Sequence, residues 1–315
     1  MSQQLTAIDV LSPADIAQRV EAISVQRATL PRRNLIVLGV LGGIYIGLGG
    51  ALATLALTDN GLGFGLARLT AGVAFSLGLI LMVMAGGELF TGNNLMVLAL
   101  ASQKISARSV WRNWSVVYAA NALGALVLAL AVHHAGILGS GGMRATAARI
   151  AETKVELDFL PAFVRGVLCN MLVCLAVWIS VSARSVEGKV IAIVFPIGAF
   201  VALGFEHCVA NLYLLPVGML SGAEVTLAGV LGNIVPVTLG NIVGGVGLAG
   251  AYWIIYRSEG RLTGPRPQER CEIVDAQSVS GARSRKPIDG LTAKCPLSGS
   301  GDDRWRHSHP SSGPS

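Results

Sequence analysis

Charge is scarce in this 315-residue chain: Asp, Glu, Lys and Arg together make up 13% of it, where a soluble domain holds about one-quarter. That scarcity, with 52% hydrophobic residues and a mean hydropathy of +0.61, excludes an ordinary water-soluble fold and points to a polytopic membrane protein. HExxH, GxSxG and CxxC are missing too. An embedded enzyme would therefore have neither a metal triad nor an activated nucleophile. No NPA triplet occurs, which disfavours an aquaglyceroporin. The first thirty residues hold no apolar h-region, so no cleavable signal peptide is expected. The five cysteines follow no regular spacing. Cys169, Cys174 and Cys208 lie in apolar segments and read as small buried hydrophobes.

A hydrocarbon layer about 30 Å thick needs roughly 20 apolar residues per helix. Residues 35–57, 113–132, 161–182 and 229–256 supply one crossing each. Two other stretches, 68–100 and 189–220, run to 33 and 32 residues. As unbroken helices they would reach about 50 Å, yet two crossings apiece would need about 40 residues and a turn. Each is therefore expected to break within the membrane, at "GGELFTGNN" (86–94) and "GFEHCVAN" (204–211). The expected fold is all-α, with six transmembrane helices of which the second and fifth are broken.

Basic residues alternate between the two sides of such a chain. Eleven lie on the side of the termini, from Arg19 to Arg261, against Arg144, Arg149 and Lys154 on the other. The positive-inside rule then places both termini in the cytoplasm of a cell inner membrane. The net charge of +6 reflects this orientation, and no nucleic-acid partner is expected. Residues 12–29 read as an amphipathic helix, with Ser12 as N-cap, Pro13 in the first position and Asp15 at the positive end. Three regions result: 1–30 as a cytoplasmic amphipathic helix, 31–257 as the membrane domain, and 258–315, rich in Ser, Gly and Pro, as a disordered cytoplasmic tail.

The two interruptions share Gly, Glu and Asn at their first, third and eighth positions, 118 residues apart. Downstream, Asn113, Asn121 and Gly124 recur as Asn233, Asn241 and Gly244, 120 residues apart. Two three-span halves follow, and an odd number of crossings per half makes the repeat inverted. Broken helices at matching positions of inverted repeats point to a transport site near the midplane. Each new half-helix is expected to offer free N–H donors to an anion. Thr91 and Asn93 are expected to cap one half-helix and Asn211 the other. His207 reads as a pathway residue, because ionisable groups inside a membrane mark such paths. Glu88 and Glu206 read as structural partners for freed polar groups. His133 and His134, at a span end, read as interfacial decoration. No metal or cofactor is expected.

Four stretches, "GFGLARLTAGVAFSLGLILMVMAGGELFTGN", "RGVLCNMLVCLAVWISVSARS", "GFEHCVANLYLLPVGML" and "NIVPVTLGNIVGG", closely resemble the formate/nitrite transporter family. The likeness runs from about residue 30 to 257. It implies an aquaporin-like protomer in a homopentamer, with one pore per protomer. It also implies that His207 is the pore histidine, Thr91 the re-entrant-loop threonine, Asn170 a neighbouring asparagine and Lys154 a lysine that draws anions to the outer vestibule. Two apolar constrictions would map to Leu79, Leu89, Phe90 and Val173, and to Phe75 and Phe200. "FSLGLIL" and "GFEHCVANLYLLP" look most like formate channels. "GGELFTGN" departs from their common Asp-Leu-Phe-Thr-Ser and is similar to nitrite channels. Formate is thus the leading substrate, passive or proton-linked, with nitrite next and hydrosulfide or short carboxylates behind.

Overall fold

A computed structural model describes residues 10–257; the tail expected to be disordered lies outside the described residues. The first half comprises α1 (Pro13–Thr29), α2 (Arg32–Ala56), α3 (Phe64–Leu81), α4 (Val97–Ala101) and α5 (Ala107–His134). The second repeats the order as α6 (Met143–Val155), α7 (Phe159–Ser182), α8 (Val186–Ala202), α9 (Cys208–Leu220) and α10 (Leu227–Tyr256). Five helical stretches are long and apolar enough to cross a membrane: Arg32–Ala56, Phe64–Gly86, Ala107–His134, Phe159–Ser182 and Leu227–Tyr256. Their outward faces carry Phe64, Leu160 and Leu227, and that of α8 carries Phe195, all well exposed. Water would penalise such a belt and hydrocarbon would not. The protein is a multi-pass membrane protein.

Helix ends are set by capping as well as by hydropathy. The Ser106, Ser185 and Thr226 hydroxyls each accept an N–H three residues on, starting α5, α8 and α10. α5 consequently begins at Ala107, six residues before the span expected from apolarity alone. The expected amphipathic helix is α1. Ser12 Oγ accepts from Asp15 N at 3.2 Å and Pro13 opens the first turn. Its buried residues Ile16, Ala17 and Val20 pack against Leu98, Cys174 and Trp178 of the bundle.

In each half the first long helix packs on the last, α2 on α5 and α7 on α10. Glycine makes both crossings close. A Cβ at Gly124 would collide with the Val40 carbonyl, and one at Gly244 with the Val167 carbonyl. The halves meet where α3 packs on α8. The short arms are exchanged: α9 lies against α5, and the segment Gly92–Ala101 against α10.

Candidate functional site

Both expected breaks are present. After α3 the chain widens into a π-turn, Met82–Gly86, and resumes as a 3-10 turn, Gly92–Met96. Between α8 and α9 it is irregular from Leu203 to His207. The matching glycines, Gly86 and Gly204, take φ of +89° and +73°, a left-handed conformation that glycine adopts without a Cβ clash.

Backbone freed inside a membrane must find partners, and here it does so twice in the same way. Glu88 N donates to Leu38 O at 3.0 Å and Glu206 N to Arg165 O at 3.3 Å. The Asn121 amide donates to Gly39 O and Glu88 O, and its Oδ1 accepts Phe90 N. Asn241 likewise donates to Gly166 O and Glu206 O while accepting Cys208 N. Each of these asparagines replaces the helical hydrogen bonds that a break removes.

The two glutamates sit at the centre of matched clusters. Glu206 pairs with Lys154 Nζ at 2.8 and 3.0 Å and accepts Asn211 Nδ2 at 2.6 Å; that same amide donates to Asn233 Oδ1. Glu88 pairs with Arg27 Nε at 3.1 Å and accepts Asn93 Nδ2 at 2.6 Å; that amide donates to Asn113 Oδ1. Arg27 near the end of α1 therefore corresponds to Lys154 near the end of α6. Sequence reading missed Arg27, although both cations sit just ahead of the first long helix of their half.

Three expectations change. Asn93 and Asn211 cap nothing: they lie inside Gly92–Met96 and Cys208–Leu220, past the cap positions, and their amides donate to Glu88 and Glu206. Thr91 holds the cap position before Gly92, but its side chain makes no cap bond. The cap of α9 is His207, whose Nδ1 accepts Ala210 N at 3.1 Å. The half-helix amides are also less available than expected, since Cys208 N and Ala210 N are already bonded to side chains.

The other nitrogen of His207 reaches across the break. Nε2 lies 2.9 Å from Thr91 Oγ1, with both residues buried. Because Nδ1 accepts a backbone N–H, a neutral ring carries its proton on Nε2 and donates it to the threonine oxygen. The Thr91 hydroxyl hydrogen then remains free to donate onward. Asn170 does not bond to the ring. It donates to the Thr91 carbonyl at 3.3 Å, to Asn94 Oδ1 and to Asn241 O, tying the first break to α7 and α10.

Two cavities flank this pair. One of about 340 Å³ is lined by Phe75, Phe200, His207, Glu206, Asn211 and Lys154, and extends along α6. The other, of about 310 Å³, is lined by Leu79, Leu89, Asn93, Arg27 and further residues of α1. Phe75 and Phe200 meet edge to face at 5.5 Å, and Phe200 lies over the His207 ring at 6.0 Å. Phe90 and Val173 are buried and line neither cavity. Lys154 faces the first cavity as expected, but with its charge matched by Glu206.

α1 is anchored beside the second cavity. Glu21, fully buried, takes Lys104 Nζ at 2.8 Å and Arg257 Nη2 at 2.7 Å on one oxygen. Burial alone would raise its carboxyl. Hydrogen bonds from Lys104 and Ser102 and the charges of Arg257 and Lys104 outweigh that, and it lies below the ordinary value of 4.5.

Comparison with known proteins agrees with this arrangement. The profile of the family described as Formate/nitrite transporter matches residues 14–255. The chain is 40% identical over 268 residues to the "Probable formate transporter" of Methanothermobacter thermautotrophicus, covering 79% of this chain and 98% of that protein. It is 36% identical over 274 residues to the "Formate channel FocA" of Escherichia coli strain K12, covering 80% and 96%. Among solved structures, the "Pentameric formate channel with formate bound" superposes with a TM-score of 0.67 at 38% identity, covering 71% of this chain and 97% of that one. A repeated scaffold, paired breaks and a bridging histidine on one side, and a family match across the described residues on the other, lead to one conclusion: the chain belongs to the formate/nitrite transporter family.

Proposed function

We infer that the protein conducts small monovalent anions, formate first among them, through one pore per protomer. The carrying observation is the Thr91–His207 bridge, placed where two broken helices meet and with a cavity on either side. A formate ion leaving either cavity loses water that apolar rings do not replace, a large cost for a charged group. Leu79, Leu89, Phe90 and Val173 form one such closure and Phe75 and Phe200 the other. Between them the His207 Nε2–H and the Thr91 hydroxyl are the donors that exchange for water. The neutral ring serves the carboxylate as a hydrogen-bond donor, and a formate that takes its proton from the water of the cavity becomes formic acid, which crosses an apolar ring at far lower cost. Asn170 acts through Thr91, by holding its carbonyl.

The same reading puts six crossings in the bilayer, each broken helix counting as one, and makes the halves an inverted repeat. It places the protein in the cell inner membrane with both termini in the cytoplasm, as a homopentamer. The names of its relatives support formate and the pentamer; the basic loops support the orientation. Nitrite is the second substrate, favoured by the Glu-Leu-Phe-Thr-Gly form of the first break.

Flux of formate into proteoliposomes at two pH values tests this. Wild-type protein should admit formate in a pH-dependent way, and His207→Ala should lose that dependence while keeping its assembly. A mutant with an unaltered pH profile would reject the role given to His207.

A further inference from the structure

What gathers the anion before it meets the constriction? The expected collectors are the deep cations, and both are neutralised. Lys154 contacts both oxygens of Glu206, and Arg27 lies against Glu88. Each is one end of a short dipole, whose field falls off faster than that of a single charge.

Each cavity also holds a cation without such a partner. Arg68, in the second turn of α3, lines the cavity on the α6 side. It is fixed by a bond from Nε to Ala202 O at 2.9 Å and by the Phe64 ring, 5.3 Å away. A carbonyl and a ring orient a guanidinium without cancelling its charge. Lys189, in the first turn of α8, lines the cavity on the α1 side. Among the described residues neither makes an ion pair. They stand at corresponding places, near the start of the long arm of each broken helix. Arg149 and Arg165 add to the α6-side mouth, whereas Lys189 is the only unpaired cation among the described residues lining the α1-side cavity.

We propose that the anion-collecting charge of each mouth is carried by these long-arm cations, Arg68 on one face and Lys189 on the other, and not by the deep pairs. The proposal rests on the reading of the protein as an anion pore and adds where selectivity for negative charge begins. A single charge about 7 Å away in water-like surroundings enriches a monovalent anion roughly two- to threefold. Salt screens this, from a Debye length of about 30 Å at 0.01 M to about 3 Å at 1 M.

The test is current–voltage recording of formate in excised patches of expressing membrane, where all channels face the same way. At about 10 mM salt, Lys189→Gln should lower the current entering from one face about threefold. Arg68→Gln should lower the current from the opposite face about twofold, less because Arg149 and Arg165 remain. Both effects should vanish near 1 M salt. Lys189→Arg and Arg68→Lys, which keep the charge, should behave as wild type. Rectification in the same sense for both variants, no rectification at low salt, or Arg68→Lys behaving like Arg68→Gln would overturn the proposal. A wild-type patch that passes nitrite or chloride but no formate sinks the substrate reading alone, since the rectification can be read with either anion. A patch without any anion current overturns both.

Discussion

The two breaks are built to one plan and differ at the residue that matters most. Aligned through Glu88 and Glu206, the segments place Leu89 opposite His207. Around them the scaffold residues correspond: Gly86 with Gly204, Asn93 with Asn211, Asn121 with Asn241, Arg27 with Lys154. The lesson is a division of labour. Holding open a backbone gap in a membrane has one good solution, used twice. The bridge to Thr91 needs an imidazole on one side only, and the matching place on the other carries leucine, which lines the α1-side cavity.

That comparison can be broken experimentally, most severely at the deep ion pairs. Lys154→Met leaves Glu206 charged and buried, which costs roughly 3–5 kcal/mol. Arg27→Met should cost less at Glu88, because Arg27 is the more exposed cation, 22% against 14%. Adding Glu206→Gln to Lys154→Met should recover much of the loss. Thermal unfolding in detergent reads all three, and equal shifts for the two single variants would show that the clusters are energetically alike.

The glycine crossings come next. Gly124→Ala and Gly244→Ala each force apart a pair of helices now in carbonyl contact, at about 1–3 kcal/mol each. The two values should agree within about 0.5 kcal/mol if the scaffold is as symmetric in energy as in form. Smaller in free energy but larger in consequence is His207→Leu, which makes the two breaks alike. Losing the Nδ1 cap costs about 1 kcal/mol. Formate flux should fall at least tenfold, equivalent to about 1.4 kcal/mol or more in the barrier, with the assembly intact on size-exclusion chromatography.

The smallest effect concerns α1, whose anchor has no counterpart on α6. The Glu21 carboxyl is lowered in the fold, so its contribution is complete above the unfolded value and disappears as pH falls through the folded one. Between pH 6 and 8 proteolysis ahead of α2 should be constant. Below about pH 4 it should accelerate in wild type, and Glu21→Gln should show the faster cleavage already at neutral pH.

How far the amino-acid order announces all this depends on spacing. The breaks were legible because 33 and 32 residues suit neither one crossing nor two, and the asparagines because their intervals of 118 and 120 nearly agree. Arg27 was not: it stands 127 residues before Lys154, on a different offset, and the cation changes type. The helix α6 escaped notice because, Met143 apart, its inward residues Thr146, Ala147 and Ala151 are too small to mark an apolar face. The asparagine caps were misjudged for a physical reason. An asparagine before a helix is a good cap, but here each helical turn starts ahead of the asparagine, whose amide instead holds a buried carboxylate five residues upstream.

The ring of His207 is pinned at one nitrogen by the first turn of α9. A histidine can relay protons through water only if one nitrogen takes up a proton as the other releases it, or if the ring rotates between neighbours. Both moves would unseat Ala210 N–H. Every proton must then enter and leave by the same atom. Such an imidazole can offer its one N–H as a hydrogen bond to a passing ion, yet it cannot serve as a link in a Grotthuss wire. A bare proton therefore finds no path through this ring.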